Sequence, residues 1–230
     1  MDTRLLLISH ASTAAMRAGR FPADDPLDAR GLAEASAARA RLSIPDDAAV
    51  FVSPAVCARD TATALGIGAA ALGQGASVEA GLADMDYGLW HGRRLADLAA
   101  EAPQDLSGWT HDPDAAAHGG ESFNQVVKRV GRWLDALDDA LSERATGRAG
   151  DASSDGTDES KSWASGAQAN RTPRDTQHVA AVTHAPVIRA AIVHALGVPP
   201  AVFPRIEIAP LSMVELRRSR RGWTWWPASP

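Results

Sequence analysis

The stretch Leu5-Leu6-Leu7-Ile8-Ser9-His10-Ala11-Ser12-Thr13 decides the fold. Four consecutive apolar residues without polar alternation do not describe a strand with one wet face. They read as a strand buried on both sides, as in the interior of a parallel sheet. The run stops on Ser9-His10, which leaves an imidazole just past the strand's carboxyl end. The pattern recurs late in the chain, where His178 to Val182 predicts a strand ending on Thr183-His184. In open parallel sheets, ligand sites form in the crevice outside the carboxyl ends of the strands. Histidines at two matched strand ends therefore point to one crevice.

Outward from the first strand, Gly19 to Arg30 reads as a loop and Gly31 to Leu42 as an Ala-rich helix. Ala49 to Val52 predicts a second strand ending on Ser53-Pro54, with a helix from Ala55 to Ala71 after it. Ser77 to Ala80 predicts a third strand, Gly81 to Gly92 a loop, and Leu95 to Ala102 a short helix stopped by Pro103. Ser122 and Gln125 have the spacing of a capping box, ahead of Val126, Val130, Trp133, Leu134, Leu137 and Leu141 at helical intervals. Pro186 to Leu196 predicts a helix closed by Gly197. Leu211 to Leu216 and Trp223 to Trp226 predict a hairpin in which Trp223 and Trp225 share one packed face. This order indicates a three-layer α/β/α sandwich with a mostly parallel central sheet, one domain over residues 1–230. Between 145 and 177 the chain turns to Ser, Asp, Gly, Thr, Gln and Asn. That composition predicts a flexible surface insert, with Trp163 its one large apolar residue.

Composition narrows the function. Of 230 residues, 45% are hydrophobic and 22% charged, which are ordinary globular values. The net charge of -5 argues against a general nucleic-acid binder, which needs a basic face for phosphates. The single cysteine, Cys57, excludes an internal disulfide and, by counting, a cysteine-based zinc site. The remaining histidines, His91, His111, His118, His178 and His194, lack zinc-type spacing and read as surface residues. The Leu5–Ile8 run is too short for a signal-peptide core or a membrane span, so the expectation is a cytoplasmic protein without a membrane partner. Whether it forms a homodimer is not legible in the residues.

Six elements, in order, are similar to the motifs of the histidine phosphatase superfamily, the fold of phosphoglycerate mutases, fructose-2,6-bisphosphatases and α-ribazole phosphatases. Ser9-His10-Ala11-Ser12-Thr13 resembles the family's Arg-His-Gly start. Pro26-Leu27-Asp28-Ala29-Arg30-Gly31 resembles Pro-Leu-Thr-x-x-Gly. Ser53-Pro54 with Ala58-Arg59-Asp60-Thr61-Ala62 resembles the second-strand element. Leu82-Ala83-Asp84-Met85-Asp86-Tyr87-Gly88-Leu89-Trp90-His91-Gly92 resembles the acid loop. Gly119 to Ser122 and Thr183-His184-Ala185-Pro186-Val187-Ile188-Arg189 complete the set. The resemblance covers nearly the whole chain outside the insert.

That resemblance implies a phosphoglycerate mutase-like fold and a phosphomonoester hydrolase that needs neither metal nor cofactor. His10 would become a phosphohistidine on a small phosphorylated metabolite. Asp84, with Asp86 as the alternative, would protonate the leaving oxygen. Arg59 and a cationic His184 would hold the nonbridging oxygens. Ser9, Thr13, Arg17, Arg20 and Thr183 would contact the substrate. Several positions depart from the pattern. Ser9 and Cys57 stand where the family places arginines, and Ala11 and Ala185 stand where it places glycines. The pocket should therefore carry less positive charge than is usual, and activity should be weak. Two other readings stay open: a phosphatase fold that binds or regulates without turnover, and an enzyme of non-phosphoryl chemistry using the His10/Asp84 pocket.

Overall fold

The apolar run forms the strand it predicts, β1 (Asp2–Ser9), and the chain then makes a one-turn helix, α1 (Ala14–Arg17), and α2 (Ala29–Ala38). In the computed structural model, which describes residues 2–67, 75–151 and 176–227, the first half continues with β2 (Ala49–Val52), α3 (Val56–Leu65) and the two-residue β3 (Ser77–Val78). Helices α4 (Leu95–Glu101), α5 (Pro103–His111) and α6 (Phe123–Asp151) come next. Then come β4 (Thr176–Thr183), α7 (Ala185–Leu196), β5 (Met213–Ser219) and β6 (Gly222–Trp226). The six strands lie in the order β3-β2-β4-β1-β5-β6. The first four are parallel, and the terminal hairpin adds two antiparallel strands beside β1.

The sheet is buried on both faces, as the uninterrupted apolar runs require. Leu5 and Leu7 of β1, with Val179 and Ala181 of β4, face Val126, Val130, Leu134 and Leu137 of α6 and Val187, Ile188 and Ala191 of α7. Ile8, Val52 and Val182 face the other way, onto Ala38 of α2 and Ala58, Ala62 and Leu65 of α3. The two-residue period of the strands separates these two cores. Among the described residues no helix is long and apolar enough to cross a membrane.

Helix ends account for most departures from expectation. Helix α3 stops at Leu65 because Gly66 adopts a left-handed conformation, φ 68°, as its C-cap. Residues 68–71, the end of that helix as the sequence predicts it, lie outside the described residues. Pro103 ends α4 but also begins α5, where its missing N–H costs nothing at the first turn. The capping box forms as the spacing predicts. Gln125 N donates to Ser122 Oγ at 3.3 Å, and Ser122 N donates to Gln125 Oε1 at 2.7 Å. Helix α6 then runs to Asp151, past the start expected for the insert, and β4 begins at Thr176. Most of the insert, including Trp163, lies outside the described residues. Of the two hairpin tryptophans expected to share a packed face, only Trp223 packs on the core; Trp225 is half exposed on the outermost strand.

The loop from Leu82 to Gly92 crosses the turn before α6 with no room for a side chain. A Cβ on Gly120 would lie 2.0 Å from Asp86 O, and one on Gly88, at φ 46°, would lie 2.1 Å from His118 O. Gly120→Ala should therefore cost about 1–3 kcal/mol and lower the melting temperature by several degrees. Gly108→Ala, inside α5 with open space around it, should instead stabilise by about 0.5–1 kcal/mol. Equal melting temperatures for these two variants would show that the crossing yields easily.

Candidate active site

Residue His10 follows β1 directly, and its backbone N donates to Thr183 O at 2.9 Å, extending the ladder one step past the strand. Its side chain is buried, with Nδ1 2.8 Å from Ala11 O. A carbonyl only accepts, so Nδ1 carries the hydrogen and Nε2 the lone pair. The turn after it is pinned from α3. Ala11 N donates to Thr61 Oγ1 at 3.0 Å, and that hydroxyl donates to Cys57 O at 2.7 Å.

At the matching end of β4, His184 packs edge-on against His10, with ring centroids 4.9 Å apart. Ser53 Oγ, at the end of β2, lies 2.8 Å from His184 Nε2. The other ring nitrogen, Nδ1, is buried without a hydrogen bond and sits 3.3 Å from Asp84 Oδ2. Asp84 is steadied by Met85 N, which donates to its Oδ1 at 2.8 Å. Arg129 of α6 holds the loop from behind. Its Nη1 donates to Gly81 O and Ala83 O and its Nη2 to Asp84 O, while it pairs with Glu121. Thr183 Oγ1 donates to Leu82 O at 2.7 Å, tying the same loop to β4.

These groups line a cavity of about 310 Å³. His10, His184, Asp84 and Thr13 all border it, and so do Asp86 and His91. Cys57, Asp24 and Asp25 join them. Among the described residues no arginine or lysine lines the cavity. A larger cavity, about 590 Å³, lies at the other end of β1 beside the hairpin, lined by Arg4, His178 and Trp226 among others. Its one lining histidine, His178, is paired with the exposed Asp47, whereas the smaller strand-end cavity gathers two buried histidines beside Asp84 and is the candidate site.

Five expected contacts fall elsewhere. Arg59 is exposed, because two residues along a helix turn a side chain by roughly 200°, and α3 presents Cys57 to the cavity instead. Arg17 pairs with Asp28 and donates to Ser12 O. Arg20 donates to Gly92 O at 2.8 Å. Ser9 is buried at the strand end, outside the cavity lining, and Thr183 serves as the structural tie just described. Sequence reasoning missed Arg129 and Cys57 as parts of the site. It also placed His118 on the surface, whereas its ring is buried 4.9 Å from Trp90 and its Nδ1 accepts from Gly120 N.

Burial sets the charges. It lowers His10 to a pKa of about 4, with His184 adding to the effect, and lowers His184 to about 3. The cation expected at His184 is therefore a neutral ring at neutral pH. Burial raises Asp84 to about 6, against the pull of His10, and raises the Cys57 thiol to about 12. The cavity thus holds two neutral imidazoles, a thiol and several carboxyl groups.

Comparison with known proteins follows the same lines. The sequence matches the histidine phosphatase superfamily (branch 1) over residues 5–147 and 158–226. It is 33% identical over 138 residues to the bifunctional protein Rv2228c of Mycobacterium tuberculosis, a match covering 59% of this chain and 37% of that protein. The chain therefore spans just over a third of that relative's length. It is 28% identical over 137 residues to phosphoserine phosphatase 1 of Hydrogenobacter thermophilus, covering 58% and 64% of the two chains. The mycobacterial glucosyl-3-phosphoglycerate phosphatase Rv2419c superposes with a TM-score of 0.74 at 24% identity, covering 100% of both chains. With its strand-end histidine pair, its acid loop and a family match running almost from end to end, the chain belongs to the histidine phosphatase superfamily.

Proposed function

We propose that the protein hydrolyses a phosphomonoester of a small metabolite through a phosphohistidine on His10. The observation that carries this reading is the Nδ1–H···O contact to Ala11, which leaves the Nε2 lone pair as the available nucleophile in the cavity. In the first step Nε2 attacks phosphorus and the P–O bond to the leaving group breaks. Asp84, held protonated up to about pH 6, gives its proton to the departing oxygen. In the second step the Asp84 carboxylate takes a proton from water as the water oxygen attacks phosphorus. The N–P bond breaks, and inorganic phosphate leaves. The relatives that are phosphatases by name support this reaction class.

Charge stabilisation is the weak part of this machinery. A phosphate dianion beside His184 would raise that ring's pKa and let Nδ1–H donate to a nonbridging oxygen. Among the described residues no guanidinium lines the cavity to share that role, and Asp24, Asp25 and Asp86 oppose an anion. The same observation favours a second reading, a phosphatase fold that binds ligand without turning it over.

The readings separate by experiment. His10→Ala should abolish turnover and acid-labile phosphoryl trapping while leaving the melting temperature within a few degrees. Retained turnover in that variant would exclude His10 as the nucleophile. For an alkyl phosphate, the rate should be highest between about pH 4, where His10 loses its proton, and about pH 6, where Asp84 loses its own. Above that it should fall roughly tenfold per pH unit. Asp84→Asn should remove this upper limb and slow the alkyl substrate by about 10²–10⁴-fold, yet scarcely affect p-nitrophenyl phosphate. Equal losses on both substrates would move the acid role to another group. Cys57→Arg would put a cation where α3 meets the cavity, and should raise turnover by roughly tenfold or more. No gain would mean that positive charge is not what limits the rate.

A further inference from the structure

We propose that His10, Cys57 and His184 form a binding site for a borderline-soft divalent cation of the zinc class. One ligand atom from each of the three residues lies within 4.8 Å of the others, and all three side chains are buried. Counting cysteines along the sequence excludes a zinc site here. The fold overrides that count by bringing one thiol beside two imidazoles from distant strand ends.

The hydrogen bonding around the rings is that of metal-ligating histidines, in which one nitrogen is fixed by a partner and the other is left to bind. In His10 the fixed nitrogen is Nδ1, on Ala11 O; in His184 it is Nε2, on Ser53 Oγ. The second nitrogen of His184 is buried with no hydrogen-bond partner, an unpaired polar atom that a cation would satisfy. Asp84 Oδ2 sits 3.3 Å from it. Asp84 lies outside the three-donor group and serves as a neighbouring counter-charge, which leaves the fourth tetrahedral position to water. The three His and Cys donors, within 4.8 Å of one another, must draw in by up to about 1.5 Å to reach tetrahedral separations.

The surrounding charge favours a cation over an anion. Carboxylates of Asp24, Asp25 and Asp86 border the same cavity, and among the described residues no lysine or arginine does. On binding, the Cys57 thiol releases its proton to solvent and the sulfur becomes a thiolate ligand. The thiolate and the Asp84 carboxylate then offset the two positive charges of the ion. An ion on His10 Nε2 occupies the lone pair that would attack phosphorus, so the loaded protein cannot form a phosphohistidine. This site does not depend on the hydrolase reading, since it follows from the donor geometry alone.

The test uses the full chain stripped of metal. Equilibrium dialysis against zinc should give one ion per chain, with a raised melting temperature. Cobalt should give a thiolate-to-cobalt absorption band, read on the unaltered protein. Cys57→Ala and His184→Ala should each weaken zinc binding about a hundredfold or more, and Ser53→Ala about 10–100-fold. His111→Ala, at an exposed position, should change nothing. Absence of the cobalt band, or zinc binding undiminished in Cys57→Ala, overturns the proposal. Phosphoryl trapping on the metal-free protein is scored separately. A protein that traps phosphate but binds no zinc leaves the hydrolase reading intact, and the reverse result leaves only the metal site.

Discussion

The parallel pairing of β1 with β4 is the constraint from which the site follows. Its register runs from Asp2 opposite Thr176 to Ser9 opposite Thr183. Each strand is then continued by one histidine, so the two imidazoles leave the sheet side by side. A slip of one residue would exchange the two faces of a strand, moving Leu5 and Leu7 into the core now filled by Ile8. Because both faces are buried under helices, such a slip exposes no tolerable alternative. The register is therefore fixed by packing across the whole sheet, and the ring contact at its end inherits that rigidity.

The acid is held differently. Asp84 lies in a loop with no strand partner, and Arg129 supplies what the ladder cannot. One guanidinium reaches three carbonyls of that loop and also pairs with Glu121, whose Oε2 accepts from Asp86 N. Such a planar fork of donors can satisfy several acceptors at once, which a lysine cannot. The side chain that most resembles a phosphate clamp by charge is thus spent on positioning. Close backbone crossings at Gly88 and Gly120 leave the loop little room to drift. The carboxyl group is thereby placed against His184 by contacts made well outside the cavity.

Features that depend on local chemistry were legible in the sequence. The apolar runs of β1 and β4, the histidines that end them, and the Ser122–Gln125 box all follow from spacing within a few residues. Pro103 predicts a stop by its missing N–H, yet the same ring favours a first helical turn, which is where α5 begins. The resemblance points to Arg59 as a pocket cation because it is the arginine inside the second-strand element. Helical phase decides otherwise, turning Cys57 inward and Arg59 out. Arg129 acts on a loop more than forty residues away, and no local pattern announces a contact of that range. The signal that existed was weaker: Glu121 in the Gly-Gly-Glu-Ser element implies a partner, and a cation two turns into α6 can provide it.

The same geometry supports two chemistries because a nucleophile and a metal ligand both need one exposed lone pair on a neutral, oriented imidazole. Burial supplies the neutrality, and Ala11 O and Ser53 Oγ supply the orientation. What chooses between an arriving phosphate and an arriving cation is the sign of the remaining charge in the cavity. With guanidinium groups at the positions of Ser9 and Cys57, that sign would favour the anion, as the resemblance to the family implies. Here the strand end carries a hydroxyl, α3 offers a thiol, and several carboxyl groups complete the wall. Among the described lining residues, the pair of rings stands beside acidic rather than basic groups. A phosphate dianion must therefore bring its own proton or cation to bind well in this cavity, whereas a divalent ion finds its counter-charges already built.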